Sequence, residues 1–261
     1  MKSFRSVLFC ALSAPAAIFA GLAYDGSSTI GEGAMPELSK AFTTASKVSF
    51  DQIGISGSGK GFEAVMKGTV DIAGMSRPIK AEEKKLKPYY QIIGYDAISV
   101  CVNNKNAITG LTSSQLKSIF TGKITNWKEV GGADGVIEVV TEVKTGKRAT
   151  IEAFKELALE NAEYGVSKEI DKPVDCIAYV EKHPAAITFA SSSQVGSNVK
   201  PLLIDDAAPT KKNVQSGAYL ISRPLLLVAK AIPTGTIKAF FDFVLSAEGQ
   251  KIMGIKFVPV K

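Results

Sequence analysis

GISGSGKG, residues 54–61, lies between an extended stretch, residues 48–55, and a segment in which Phe62, Val65 and Met66 recur at i, i+3 and i+4. A glycine-rich turn joining a strand to a helix predicts an α/β unit. The same turn has the outline of a nucleotide phosphate loop, with Gly54, four residues, then Gly59 and Lys60. That loop requires Ser or Thr directly after the lysine, because the hydroxyl coordinates Mg²⁺. Residue 61 is glycine, so the pattern fails by one position and the turn needs another explanation.

Strand-like and helix-like segments alternate on both sides of it. Leu38, Ala41, Phe42 and Ala45 recur at helical spacing after the turn GSST, residues 26–29. Residues 70–73 read as a short strand ended by the turn at residues 75–78, and residues 92–102 as a buried crossing strand. Thr112 to Gln115 is a capping box that opens a helix, and residues 137–141 form a strand ahead of a helix carrying Ile151, Phe154, Leu157 and Ala158. Residues 219–230 make a second long apolar run, followed by an amphipathic helix with Ile237, Phe240, Phe241, Val244 and Leu245. The alternation predicts an α/β fold with mainly parallel sheets. The two long runs fit hinge strands between two lobes, residues 24–97 plus 222–261 and residues 98–221.

Length and composition agree with such a chain: 261 residues, 46% of them hydrophobic, suit two domains or one large one. Residues 1–23 stand apart as a secretory signal, with Lys2 and Arg5 ahead of an apolar run and small residues at Ala20 and Ala23. The run is short for a membrane span. Without residues 1–23 the 31 cations fall to 29 against 25 acids, a net charge of +4. The charges are scattered singly, which argues against a nucleic-acid face and favours an anionic ligand only weakly. Cys101 and Cys176 could pair after export or stay as buried thiols, and spacing does not choose.

Three turns share one character: residues 26–29, residues 56–61 and residues 145–150 are rich in Gly and hydroxyl residues, and each precedes a helix. Unpaired N–H groups, a partial positive charge and close backbone approach suit a small oxyanion. Ordinary helix capping selects the same residue types, but three such turns, with Ser76 and Arg77 in a fourth, favour an anion site. Catalysis has little support. His183 is the only histidine, in a predicted helix-end turn, and no Cys/His cluster has zinc spacing. No cofactor or metal is expected.

The segment GLTSSQLKSIFTGKITNWKEVGG, residues 110–132, resembles a signature of the periplasmic phosphate-binding proteins of ABC transporters. GSST at residues 26–29, GSGKG at 57–61, GTVDIAGMSRP at 68–78, YLISRP at 219–224 and FFDFVLSAEGQ at 240–250 extend the likeness over nearly the whole chain. The resemblance implies a two-lobed, type II-like binding protein, its mixed, mainly parallel sheets joined by two hinge strands. It further implies a periplasmic monomer that closes on phosphate or a related oxyanion and delivers it to ABC permease subunits. Carried over, the ligand positions are Ser28, Thr29, Ser58, Ser76, Thr145, Gly146 and Lys147, with Arg77 as the nearest cation and Arg148 beside the far-lobe turn. The family's far-lobe arginine falls on Thr141 and its last hydroxyl on Lys147; Lys144, Lys147 or Arg148 could restore the charge. Where some relatives carry an aspartate that accepts the proton of hydrogen phosphate, this chain has Ser76, which leaves the choice between phosphate and other oxyanions open. Two other functions are compatible with the sequence: a secreted sensor or protein-interaction module with an altered pocket and, on the near-miss loop alone, a nucleotide hydrolase.

Overall fold

A computed structural model of the protein describes residues 21–146 and 148–260. The chain opens with β1 (Leu22–Gly26), α1 (Ser28–Gly33), α2 (Met35–Ser46), β2 (Phe50–Ile53), α3 (Ser58–Lys67), β3 (Ile72–Met75) and α4 (Ala81–Lys84). β4 (Tyr89–Asn103) leads into β5 (Gly110–Leu111), α5 (Ser113–Phe120), β6 (Glu138–Glu142), α6 (Ala149–Leu159), β7 (Lys168–Ile170), α7 (Pro173–Lys182), β8 (Ala186–Ser191), β9 (Val199–Pro201), β10 (Leu203–Ile204) and α8 (Lys211–Gln215). β11 (Ser222–Ala229) returns, and α9 (Gly235–Leu245) and α10 (Ala247–Lys256) follow.

Nine strands form one mixed sheet in the order β2-β1-β3-β11-β4-β8-β6-β7, with β9 also on β4. The strands β2-β1-β3 are parallel, as are β8-β6-β7. Between these groups β11 and β4 run antiparallel to each other, with Ser222 opposite Ala97 and Ala229 opposite Tyr89. These are the two long apolar runs of the sequence, and they join the halves of the molecule. Buried side chains assort accordingly. One pair of clusters holds Leu22, Met35, Phe42, Phe240 and Phe257, and Phe62, Val65, Leu226 and Val228. The other pair holds Phe120, Phe154, Phe189 and Ile221, and Cys101, Val140, Cys176 and Val199. Only Ala97, the last residue of the first lobe's opening segment, joins a cluster otherwise drawn from the second.

Local chemistry sets the helix starts. Thr112 Oγ1 accepts from Gln115 N at 3.1 Å and Gln115 Oε1 from Thr112 N at 2.9 Å, the expected capping box. The turn of residues 54–61 finds its explanation in packing. Gly57 has φ +104°, and a Cβ on Gly61 would stand 2.4 Å from the Cα of Gly26. α3 lies directly on the backbone of β1, which excludes the Ser or Thr a nucleotide loop requires.

Residues 1–20, the bulk of the expected signal, lie outside the described residues. Leu22 and Ala23 belong to β1, Leu22 is buried, and the two pair with Phe50 and Gln52. A boundary after Ala23 would cut this strand, whereas one after Ala20 leaves it whole. Cys101 and Cys176 are unpaired, and burial pushes both thiols up to about 12. His183 ends α7, stacked on the Tyr179 ring at 3.6 Å.

Candidate functional site

The N-termini of α1, α3 and α6 meet the turn after β3 and the end of β6 around one small cavity. Its lining includes Ser27, Ser28, Thr29, Ser58 and Ser76 from one lobe and Glu142, Arg148 and Thr150 from the other. Its cavity volume is about 10 Å³, of the order of a single water-sized sphere and far below the roughly 300 Å³ at which pockets for larger organic ligands begin. The size suits one small ion.

Hydrogen-bond direction gives the cavity its chemistry. Arg223, 1% exposed on β11, donates from Nη2 to Thr29 Oγ1 and from Nη1 to Thr150 Oγ1, each at 3.0 Å. The same guanidinium holds Asp96 of β4 through Nε at 3.2 Å and Nη2 at 3.0 Å. Ser191 Oγ completes the pair by donating to Asp96 Oδ1 at 2.8 Å. Burial raises the Asp96 carboxyl from its ordinary value, against the pull of Arg223 and Ser191. Arginine can only donate, so both threonine hydroxyls accept from it and keep their own hydrogens for the cavity they line. Ser76 Oγ likewise accepts from Ser27 Oγ at 2.9 Å, and Ser58 Oγ accepts from Ser76 N at 3.2 Å. Four buried hydroxyls are thus left as donors, beside α3 and α6 N-termini that carry no side-chain cap. Such a cavity receives an acceptor-rich group.

Of the sequence-predicted positions, Ser28, Thr29, Ser58, Ser76 and Arg148 come together here. Thr145 and Gly146 do not. Gly146 N closes a tight turn on Val143 O at 3.0 Å, which leaves Thr145 exposed and brings residues 148–150 to the cavity instead. Lys147 lies outside the described residues. Arg77 is not a lining residue: Glu83 holds both its Nη atoms at 2.8 and 2.7 Å, and its Nε stands 2.9 Å from Glu152 Oε2. The charge expected at the anion is matched by carboxylates. Lys144 points at Gly165 O, 3.2 Å, and Glu169, 3.3 Å, rather than substituting for the missing arginine.

Sequence reasoning missed Ser27, Glu142, Thr150, Asp96 and Arg223. A signal existed for the last two. Asp96 is the only charge in the apolar run 92–102, and Arg223 the only one in the run 219–229. A single charge in a buried strand demands a partner.

Fold and cavity together define a two-lobed binding protein for a small anion, with the ligand site where the lobes meet. Residues 14–248 match the model of the PBP superfamily domain. The phosphate-binding protein PstS of Staphylococcus saprophyticus is 31% identical over 252 residues, 90% of this chain and 78% of that protein. PstS of Bacillus subtilis is 33% identical over 208 residues, 77% of this chain and 67% of that protein. Among solved structures, a putative phosphate ABC transporter substrate-binding protein with bound phosphate from Clostridium perfringens superposes with a TM-score of 0.86 at 33% identity, covering 93% of this chain and 100% of that one. An ABC-type phosphate transport receptor from Vibrio cholerae gives 0.76 at 26% identity, over 90% and 98%. The chain belongs to the PBP superfamily and, within it, to the PstS-like phosphate-binding proteins. It is a binding protein, not an enzyme.

Proposed function

We propose that this protein is the extracytoplasmic receptor of an ABC importer and captures phosphate in the cavity between its lobes. The observation that carries this reading is the convergence of inward-donating hydroxyls and two uncapped helix N-termini, drawn from both lobes, on one ion-sized space. Ser28, Thr29, Ser58 and Ser76 hold the anion from the first lobe, residues 24–97 plus 222–261. Arg148 and Thr150 hold it from the second, residues 98–221. The relatives' names, all phosphate-binding proteins or phosphate transport receptors, support the choice of anion.

Further parts of the reading are that the signal is cleaved after Ala20, that the chain acts in the periplasm as a monomer, and that the closed form docks on permease subunits. Among the described residues no helix is long and apolar enough to cross a membrane. Five to eight hydrogen bonds to a charged ligand, each net ~1 kcal/mol, give about 5 to 8 kcal/mol, a dissociation constant from the submillimolar range down to roughly micromolar. Isothermal titration with inorganic phosphate tests the reading, and no heat from micromolar to millimolar phosphate would sink it.

A further inference from the structure

Glu142 ends β6 with its side chain 1% exposed, and it lines the cavity. Neither carboxylate oxygen has a hydrogen-bond partner among the described residues. Its surroundings do not neutralise it. On α6, Arg148 Nε is 3.9 Å from Oε1, but the same guanidinium pairs with Asp171 after β7 at 3.2 Å. Arg223 on β11 is paired with Asp96; its charge, that of Arg148 and the Ile151 N–H of α6 pull against the burial of Glu142 without offsetting it. Glu152 of α6 serves Arg77 and Lys80. On β7, Glu169 pairs with Lys144, and Lys168 sits over the Tyr179 ring. β8 carries no titratable residue. Tyr164 and the α7 thiol Cys176 also lie within reach of its charge, and both are held neutral, their own ionisation pushed up. With Arg223 held by Asp96 and Arg148 shared with Asp171, Glu142 is the one carboxylate lining the cavity among the described residues, and its oxygens are left without a side-chain donor.

Thr29, Ser58, Ser76 and Thr150 each keep a hydrogen for the cavity, whereas an ionised Glu142 has none to give and can only accept. Two anionic oxygens cannot be packed together in a dry space unless a proton lies between them. We propose that Glu142 is the selectivity determinant of this site: it accepts a hydrogen bond from an oxyanion that carries a proton, such as monohydrogen phosphate, and admits a fully ionised one, such as sulfate, only together with a proton taken from solvent. The inference rests on the phosphate-site reading above. Burial holds the carboxyl at about 7, so near neutral pH the proton is available to either partner.

The test is titration calorimetry with inorganic phosphate and with sulfate, pH 6 to 8.5, in two buffers of different ionisation enthalpy, on the wild type and Glu142→Gln. In the wild type, sulfate affinity falls about tenfold per pH unit above pH 7, with one proton taken up per sulfate bound, while phosphate at pH 8 binds with no proton uptake. In Glu142→Gln, whose amide can donate, sulfate binding loses its pH dependence and the phosphate-to-sulfate preference at pH 8 narrows at least tenfold; sulfate binding gained only by the variant supports the inference equally. Wild-type sulfate binding of equal strength at pH 6 and 8.5 without proton uptake, sulfate binding absent from both proteins, or an unchanged preference in the variant would overturn it. The wild-type proton count decides the matter if the variant fails to fold. Absence of phosphate binding by the wild type at every pH would instead overturn the phosphate site itself.

Discussion

Arg223→Met tests whether one buried guanidinium both ties the lobes together and sets the polarity of the cavity. Methionine keeps much of the stem and removes the charge. Asp96, 1% exposed, then retains only the Ser191 hydroxyl, and Thr29 and Thr150 lose the donor that fixes them as acceptors. Removing one partner of a buried pair costs roughly 3 to 5 kcal/mol. At about 2 to 4 °C per kcal/mol for a chain of this size, the melting temperature falls by roughly 6 to 20 °C. Guanidinium denaturation and thermal circular dichroism measure the loss. Adding Asp96→Asn removes the stranded charge, so the double variant should be no less stable than Arg223→Met alone, a large coupling energy in the cycle. Two freed hydroxyls no longer directed inward, at ~1 kcal/mol each, weaken phosphate binding about 10- to 30-fold. A stability loss below ~1 kcal/mol, or additive costs in the cycle, would refute the buried-pair argument. A destabilised variant with unaltered phosphate affinity would refute the step from arginine to hydroxyl direction.

Ser58→Ala removes one inward donor from a fully buried position and should weaken phosphate binding by roughly 1 to 2 kcal/mol, read by calorimetry; an unchanged constant would reduce that turn to a helix start. Gly61→Ser, which completes the nucleotide-loop pattern, should cost several degrees of melting temperature and create no ATPase activity, because its Cβ meets the Gly26 backbone; wild-type stability would contradict that packing. The ligand-free protein should lose stability as pH rises from 5 to 8. The Glu142 carboxyl lies near 7 in the fold against an ordinary 4.5, so the native state binds the extra proton between those values, and the contribution, complete below 4.5, is lost as pH passes 7. The full difference is on the order of 3 kcal/mol. Denaturant midpoints for wild type and Glu142→Gln across that range check the sign, and parallel curves would refute it.

Much of the first lobe was legible because its signals are local. Glycine and hydroxyl residues at a helix start announce both the turn and the donors, and Ser28, Thr29, Ser58 and Ser76 all line the cavity. The second lobe was read less well. A motif at residues 145–147 directs attention to Thr145 and Gly146, yet the helix begins at Ala149, and where a turn ends decides which residues face inward. Glu142 falls one residue beyond the strand read at 137–141 and ends β6, and pattern does not show which neighbours face its carboxylate. Arg77 failed for the same reason in reverse: a cation beside a candidate site is indistinguishable in sequence from one held by Glu83 and Glu152, the latter 75 residues on. Asp96 and Arg223 were the missed opportunity, two lone charges in two apolar runs that pairing of β4 with β11 places opposite one another.

The cross-lobe contacts bear on what can drive closure. Lys80 to Glu152, at 2.7 Å, and Gln194 to Glu32, at 2.9 Å, join the lobes outside the cavity. Lys80 and Glu152 are 40% and 30% exposed, and pairs so placed contribute at most about 1 kcal/mol. Arg77 is deeply buried but already satisfied within its own lobe by Glu83, so its approach to Glu152 adds little neutralisation that an open form would lack. Arg223 reaches both lobes, yet its strongest partner, Asp96, sits beside it on the central strands and moves with it. None of these contacts commits the molecule to the closed state unaided. An anion held from Ser58 and Ser76 on one side and Thr150 on the other binds the closed form alone with its full set of bonds, and that difference in affinity is what can shift the population. Ligand capture and closure are then one equilibrium, governed by the donors on the cavity wall.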